Sequence, residues 1–140
     1  QRIARLENQY RGLVAQVGER YRTNGNGTVS DKNTGKMWTL LDSSQLLGYC
    51  IDYAGAITYV RGLNTGGYTD WRLPAAGELA AIYKSEPFFP LSTAQGYWTS
   101  ESFVKGYNKG AYVVTAIHER IFNRQSRDAS ACGTVRAVRP

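Results

Sequence analysis

The chain is cut into short pieces by its own punctuation. Asn24-Gly25-Asn26-Gly27, Asn33-Thr34-Gly35 and Gly66-Gly67 supply residues that tolerate positive φ, while Pro74, Pro87 and Pro90 interrupt the stretches between and after them. With fifteen glycines in 140 residues, the chain suits a loop-rich β or α+β fold better than a helix bundle. Short apolar runs and ten tyrosines suit a loop-rich α+β fold. The 42% hydrophobic and 20% charged content is that of an ordinary globular domain rather than a disordered chain.

Between the breaks, two kinds of periodicity alternate. Ile3, Leu6, Tyr10, Leu13 and Val17 recur at intervals of three and four, the a/d pattern of a coiled coil. An isolated helix of that length is marginal in water and needs a partner. Residues 1–21 therefore read as an N-terminal, coiled-coil-like helix acting as an oligomerisation stalk, and 22–140 as one globular domain. Thr28–Asp31 and Lys36–Leu40 read as a β-hairpin around Asn33-Thr34-Gly35. A helix capped by Ser43 or Ser44 is expected over Gln45–Leu63, with Leu46, Leu47, Cys50, Ala54, Ile57 and Val60 on or near one face. Pro74 suits the first turn of a second helix reaching Tyr83, which Pro87 and Pro90 stop. Then Tyr97–Ser100, Ala111–Ile117, Arg120–Gln125 and Thr134–Arg139 read as short strands. The fold class is α+β: two helices with short antiparallel strands in a single domain, preceded by the N-terminal helix.

The net charge is +6 and the pI about 9.5, so a polyanion is the expected partner. No run of eighteen apolar residues exists, so no membrane insertion is expected. Gln1 opens directly on an amphipathic segment, which reads as a mature or excised part of a longer chain. Cys50 and Cys132 lie far apart without a CxxC motif, and spacing alone leaves a disulfide and two inert buried thiols equally open. One histidine, His118, gives a zinc site too few ligands and makes a Cys–His or Ser–His nucleophile a poor prospect. No pair of carboxylates recommends itself for glycoside hydrolysis. Asn24, Asn26, Asp31 and Asn33 are rich in oxygen but lack EF-hand spacing, so a turn is the better reading. No enzyme, no cofactor and no metal is expected, and no recognised nucleic-acid motif is present.

Four stretches together carry a resemblance. They are Thr28-Val29-Ser30-Asp31 with Thr34-Gly35-Lys36-Met37-Trp38-Thr39; Gly67-Tyr68-Thr69-Asp70-Trp71-Arg72-Leu73-Pro74 followed by Glu78-Leu79; Tyr97-Trp98-Thr99-Ser100; and Val135-Arg136-Ala137-Val138-Arg139. In this order they resemble the C-terminal domain family of the Legionella collagen-like protein, a bacterial surface adhesin. The resemblance implies a C-type-lectin-like domain, secreted or on the bacterial cell surface, trimeric, and binding sulfated glycosaminoglycans. It also implies a Cys50–Cys132 disulfide tying the first helix to the end of the chain. The sequence departs from the pattern at Ala137, where a terminal cysteine often stands. Within the second stretch, alternation sends Trp71 and Leu73 inward and leaves Arg72 to pair with Asp70 or Glu78, a structural corner.

Sulfates ask for guanidinium forks and ammonium charges, and sugar faces ask for flat aromatics. The C-terminal half supplies both. Lys105, Tyr107 and Lys109 sit in a Gly-rich loop, and Arg120, Phe122 and Arg124 share one strand face, with Arg127 beyond. Lys105, Tyr107, Lys109, Arg120, Arg124 and Arg127 are the candidate ligand site, and Ile3, Leu6, Tyr10, Leu13 and Val17 the candidate oligomerisation seam. The expected function is an adhesin domain for sulfated polysaccharide, made avid by threefold repetition. The alternative is a structural trimerisation domain with no ligand of its own.

Overall fold

The computed structural model describes residues 20–83, 89, 96–117 and 121–140. The heptad positions Ile3, Leu6, Tyr10, Leu13 and Val17, together with Pro87, Pro90, His118 and Arg120, lie outside the described residues. Tyr21, read from the sequence as the end of the N-terminal helix, opens strand β1 (Tyr21–Thr23) instead. Its ring is buried and meets Phe89 edge-on at 5.6 Å.

Strands β2 (Thr28–Asp31) and β3 (Met37–Thr39) form the expected hairpin, with Val29 opposite Trp38 and Gly35 at φ 74° in the turn. A two-residue strand, β7 (Val138–Arg139), pairs with β3 and completes an antiparallel sheet of order β1-β2-β3-β7. The last strand is shorter than Thr134–Arg139. Thr134 to Ala137 are fixed instead by hydrogen bonds to different segments, Trp98 N to Thr134 O at 2.8 Å and Thr39 N to Ala137 O at 3.1 Å among them.

The single helix expected over Gln45–Leu63 is two helices. Helix α1 (Ser43–Leu47) is capped by Asp42, not by Ser43 or Ser44. The Asp42 carboxylate accepts from Gln45 N, and the Gln45 side chain accepts from Asp42 N. Gly48 ends α1 in the left-handed region at φ 87°. Asp52 then caps α2 (Tyr53–Arg61) by accepting from Gly55 N at 2.8 Å. Leu46 and Leu47 consequently lie exposed rather than facing the core, and Cys50 sits in the connection rather than in mid-helix. Helix α3 (Ala76–Tyr83) starts two residues beyond Pro74, whose carbonyl accepts from Ser100 N.

The second sheet has order β4-β5-β6, from β4 (Tyr97–Lys105), β5 (Asn108–Ile117) and β6 (Ile121–Asp128). It separates two buried clusters. Tyr97 and Val114 belong to the cluster with Tyr21, Trp38, Leu79 and Ile82. Trp98, Ala111 and Val113 belong to the cluster with Ala56, Val60, Trp71 and Leu73. Cys50 and Cys132 are joined in a disulfide, Cα to Cα 5.4 Å, beside paired bonds between Ile51 and Gly133. The architecture is a small α+β domain with two antiparallel sheets and few helices.

Candidate functional site

Strand β4 runs past Ser100, where the sequence pattern ended, to Lys105, and β5 begins at Asn108 rather than Ala111. The Lys105–Gly110 stretch, read as a loop, is the end of a β-ribbon closed by the two residues Gly106 and Tyr107. Gly106 takes φ 60°, a conformation that favours a residue without Cβ. Lys105 pairs with Asn108, Val104 with Lys109, Phe103 with Gly110 and Ser102 with Ala111. Ala111 and Val113 are fully buried, whereas Val104, Lys105, Tyr107, Asn108 and Lys109 are exposed. The ribbon therefore roots between the two clusters and ends beyond both. Tyr107, at its tip, is wholly exposed.

The pleat distributes side chains between two faces. Glu101, Phe103, Lys105, Tyr112 and Arg124 share the face of Tyr97 and Val114, the side on which α3 packs. There the Phe103 and Tyr112 rings lie 5.5 Å apart, and the Arg124 guanidinium stacks 3.6 Å from the Tyr112 centroid. Arg124 also donates to Glu101 Oε1 at 2.7 Å, while Glu101 Oε2 accepts from Ala76 N at the start of α3. The Ala76 N–H, and after it Arg124, hold the Glu101 carboxyl below its ordinary pKa. Lys109 and Arg127 lie on the opposite face with Ala111 and Val113. Arg127 donates to Cys132 O at 2.9 Å, beside the disulfide.

The structure thus brings Lys105, Tyr107 and Lys109 together at one tip and places Arg124 and Arg127 further down the sheet, each engaged within the domain. Other cations are also engaged. Arg20 pairs with Asp31, Arg72 and Lys36 with Glu78, Arg136 with Asp42, and Arg139 with Asp70. Lys105 and Lys109 have no ion-pair partner among the described residues. The sequence reading missed Phe103 and Glu101 because it stopped the strand at Ser100. The alternation Glu101-x-Phe103-x-Lys105 was the signal that could have extended it.

The corner at Asp70–Glu78 is held by ion pairs, and its two acids choose different partners. Arg72 forks onto both Glu78 oxygens at 2.9 Å each, and Asp70 takes Arg139, which also stacks 4.0 Å from the Tyr68 ring centroid. Trp71 and Leu73 are buried. The oxygen-rich stretch near Asn24 forms turns. Asn26 Oδ1 accepts from Thr28 N and Asp31 Oδ1 from Asn33 N. Among the described residues no three of His, Cys, Asp and Glu gather as metal ligands would.

All four stretches that carry the resemblance fall within one matched span. The Lcl C-terminal domain family matches residues 27–139. The chain belongs to the Lcl C-terminal domain family. It is accordingly an adhesin-related domain, of a family of surface or secreted proteins. No curated protein matches the chain. Among the described residues, no helix is long and apolar enough to cross a membrane.

Proposed function

We propose that this Lcl C-terminal domain is a non-catalytic, extracellular adhesin module that binds sulfated polysaccharide through the β4–β5 tip. The observation that carries this reading is the tip itself: a wholly exposed tyrosine flanked by two exposed lysines with no ion-pair partner among the described residues, on a chain of net charge +6. An ammonium that no carboxylate neutralises is available to a sulfate, and an exposed phenol offers a flat face to a sugar ring. Arg124 and Arg127 back the tip from below. Contacts of this kind are individually weak, and a trimer built through the Ile3–Val17 heptads raises their combined strength without new contacts. The tie between the α1–α2 connection and the C-terminal segment fits a C-type-lectin-like arrangement.

The test is retention on immobilised heparin across a salt gradient, with light scattering on the same sample. A trimer that elutes only at high salt, and that ignores a size-matched unsulfated polymer, supports the reading. Lys105→Ser, Lys109→Ser and Tyr107→Ala each elute earlier. Passage of the unaltered protein in the low-salt flow-through sinks it and leaves a structural trimerisation domain.

A further inference from the structure

The strand register separates the two tip lysines. Lys105 is paired with Asn108 and Val104 with Lys109. Successive pairs in an antiparallel ribbon project to opposite sides, so Lys105 and Lys109 stand on opposite faces. The rest of the cation set divides the same way. Arg124, opposite Val114, is on the Lys105 side, and Arg127, opposite Ala111, is on the Lys109 side. The faces also differ in their apolar partners. Lys105 stands near the Phe103–Tyr112 ring pair, and Lys109 stands across from Val104, which is 68% exposed.

We propose that one domain holds two strands of sulfated polysaccharide, one on each face of the protruding end of the β4–β5–β6 sheet, and so bridges them. The inference rests on the polysaccharide reading above and adds the geometry of binding. A sheet with its side chains is roughly 10 Å thick. A linear polyanion lying along one face meets one lysine and one arginine, and the other pair is turned away from it. To gather both lysines, a single strand has to fold over Tyr107, which fills the tip. Two strands, one per side, use every cation of the set without that bend. The consequence is an adhesin that crosslinks a polysaccharide layer even as a single chain, where a one-faced site needs several protomers to do so.

The experiment is a titration of the full chain with a size-defined heparin tetrasaccharide. Calorimetry gives the stoichiometry, and the Tyr112 ring and Val104 methyl resonances report the two faces separately. Two tetrasaccharides per chain are expected, with both reporters shifting. Lys109→Ser leaves one per chain, abolishing the Val104 shift and keeping that of Tyr112, and Lys105→Ser does the converse. Both lysines are exposed and without ion-pair partners among the described residues, so the serine variants fold, and an unchanged thermal midpoint shows it. A stoichiometry of one, or loss of both reporters together in either variant, overturns the two-faced geometry and leaves the polysaccharide reading standing. Silence of the unaltered protein at low salt overturns both.

Discussion

Arg136 and Asp42 face each other inside the domain, Nη2 to Oδ2 3.7 Å, with almost nothing of either side chain open to solvent. Asp42 also caps α1 and accepts from the Tyr97 hydroxyl at 2.9 Å. Arg136 donates to Thr39 O and Leu40 O, and its guanidinium lies 4.5 Å from the Phe89 ring centroid. Removing the arginine leaves the Asp42 carboxylate buried without that counter-charge. Arg136→Met is expected to cost about 3–5 kcal/mol in urea unfolding. Adding Asp42→Asn, which keeps an acceptor at the cap, is expected to recover about 1 kcal/mol or more. A smaller loss for the double variant than for the single is the result that matters.

Glu78 makes the domain sensitive to acid. The fork from Arg72 holds its carboxyl down to about 2, helped by the Ala75 N–H and opposed by burial. A depressed carboxylate pKa contributes stability above the ordinary value of 4.5, and that contribution fades as pH falls towards 2. The full shift corresponds to about 3 kcal/mol. Because the Arg72 side chain is 44% exposed, screening reduces the expected loss to about 1–2 kcal/mol. Glu78→Gln should lower stability at pH 7 by that amount and flatten its decline between pH 4.5 and 2, as followed by urea midpoints at each pH.

The Cys50–Cys132 disulfide closes a loop across a sequence separation of 82. In the chain-entropy account a crosslink of that span contributes about 4 kcal/mol. The double variant Cys50→Ser/Cys132→Ser is expected to lose roughly that much in denaturant unfolding. The unaltered protein should show a similar loss in the presence of a thiol reductant, and the variant none.

Two glycines should respond to alanine with opposite signs. At Gly133 a Cβ would lie 2.5 Å from Trp98 Nε1, a buried indole whose N–H is held by Ile51 O. Gly133→Ala is expected to destabilise by about 1–3 kcal/mol. Gly77 lies within α3 and has open space where a Cβ would stand. Gly77→Ala is expected to stabilise by about 0.5–1 kcal/mol. Thermal midpoints of the two variants measured side by side decide both.

What the sequence made legible was the punctuated part of the fold. Asn33-Thr34-Gly35 announced the first hairpin, and the Trp71/Leu73 alternation announced a buried corner. The Gln45–Leu63 helix was overextended because its apolar spacing continues through a break made locally. The signals were Asp42 with Gln45, then Gly48, then Asp52, all of them cap chemistry rather than periodicity. The strand at Tyr21–Thr23 was hidden because its register comes from pairing with β2, not from its own three residues. The disulfide followed from family likeness, since nothing local to Cys50 points at Cys132. At the candidate site, Lys105, Tyr107 and Lys109 were visible as a basic aromatic stretch. Their division between two faces was not, because it depends on which residues pair across the turn.

The segment from Cys132 to Arg139 touches nearly every part of the domain in turn: Cys50, Ile51, Trp98, Ser43, Asp42, Thr39, Arg72 and Asp70. A ribosome makes these eight residues after all the partners they fasten. Until they emerge, the first sheet lacks β7, Asp42 lacks its counter-charge and Cys50 has nothing to bond with. One short stretch thus latches a domain whose other parts precede it, and the whole cannot close before that stretch is in place.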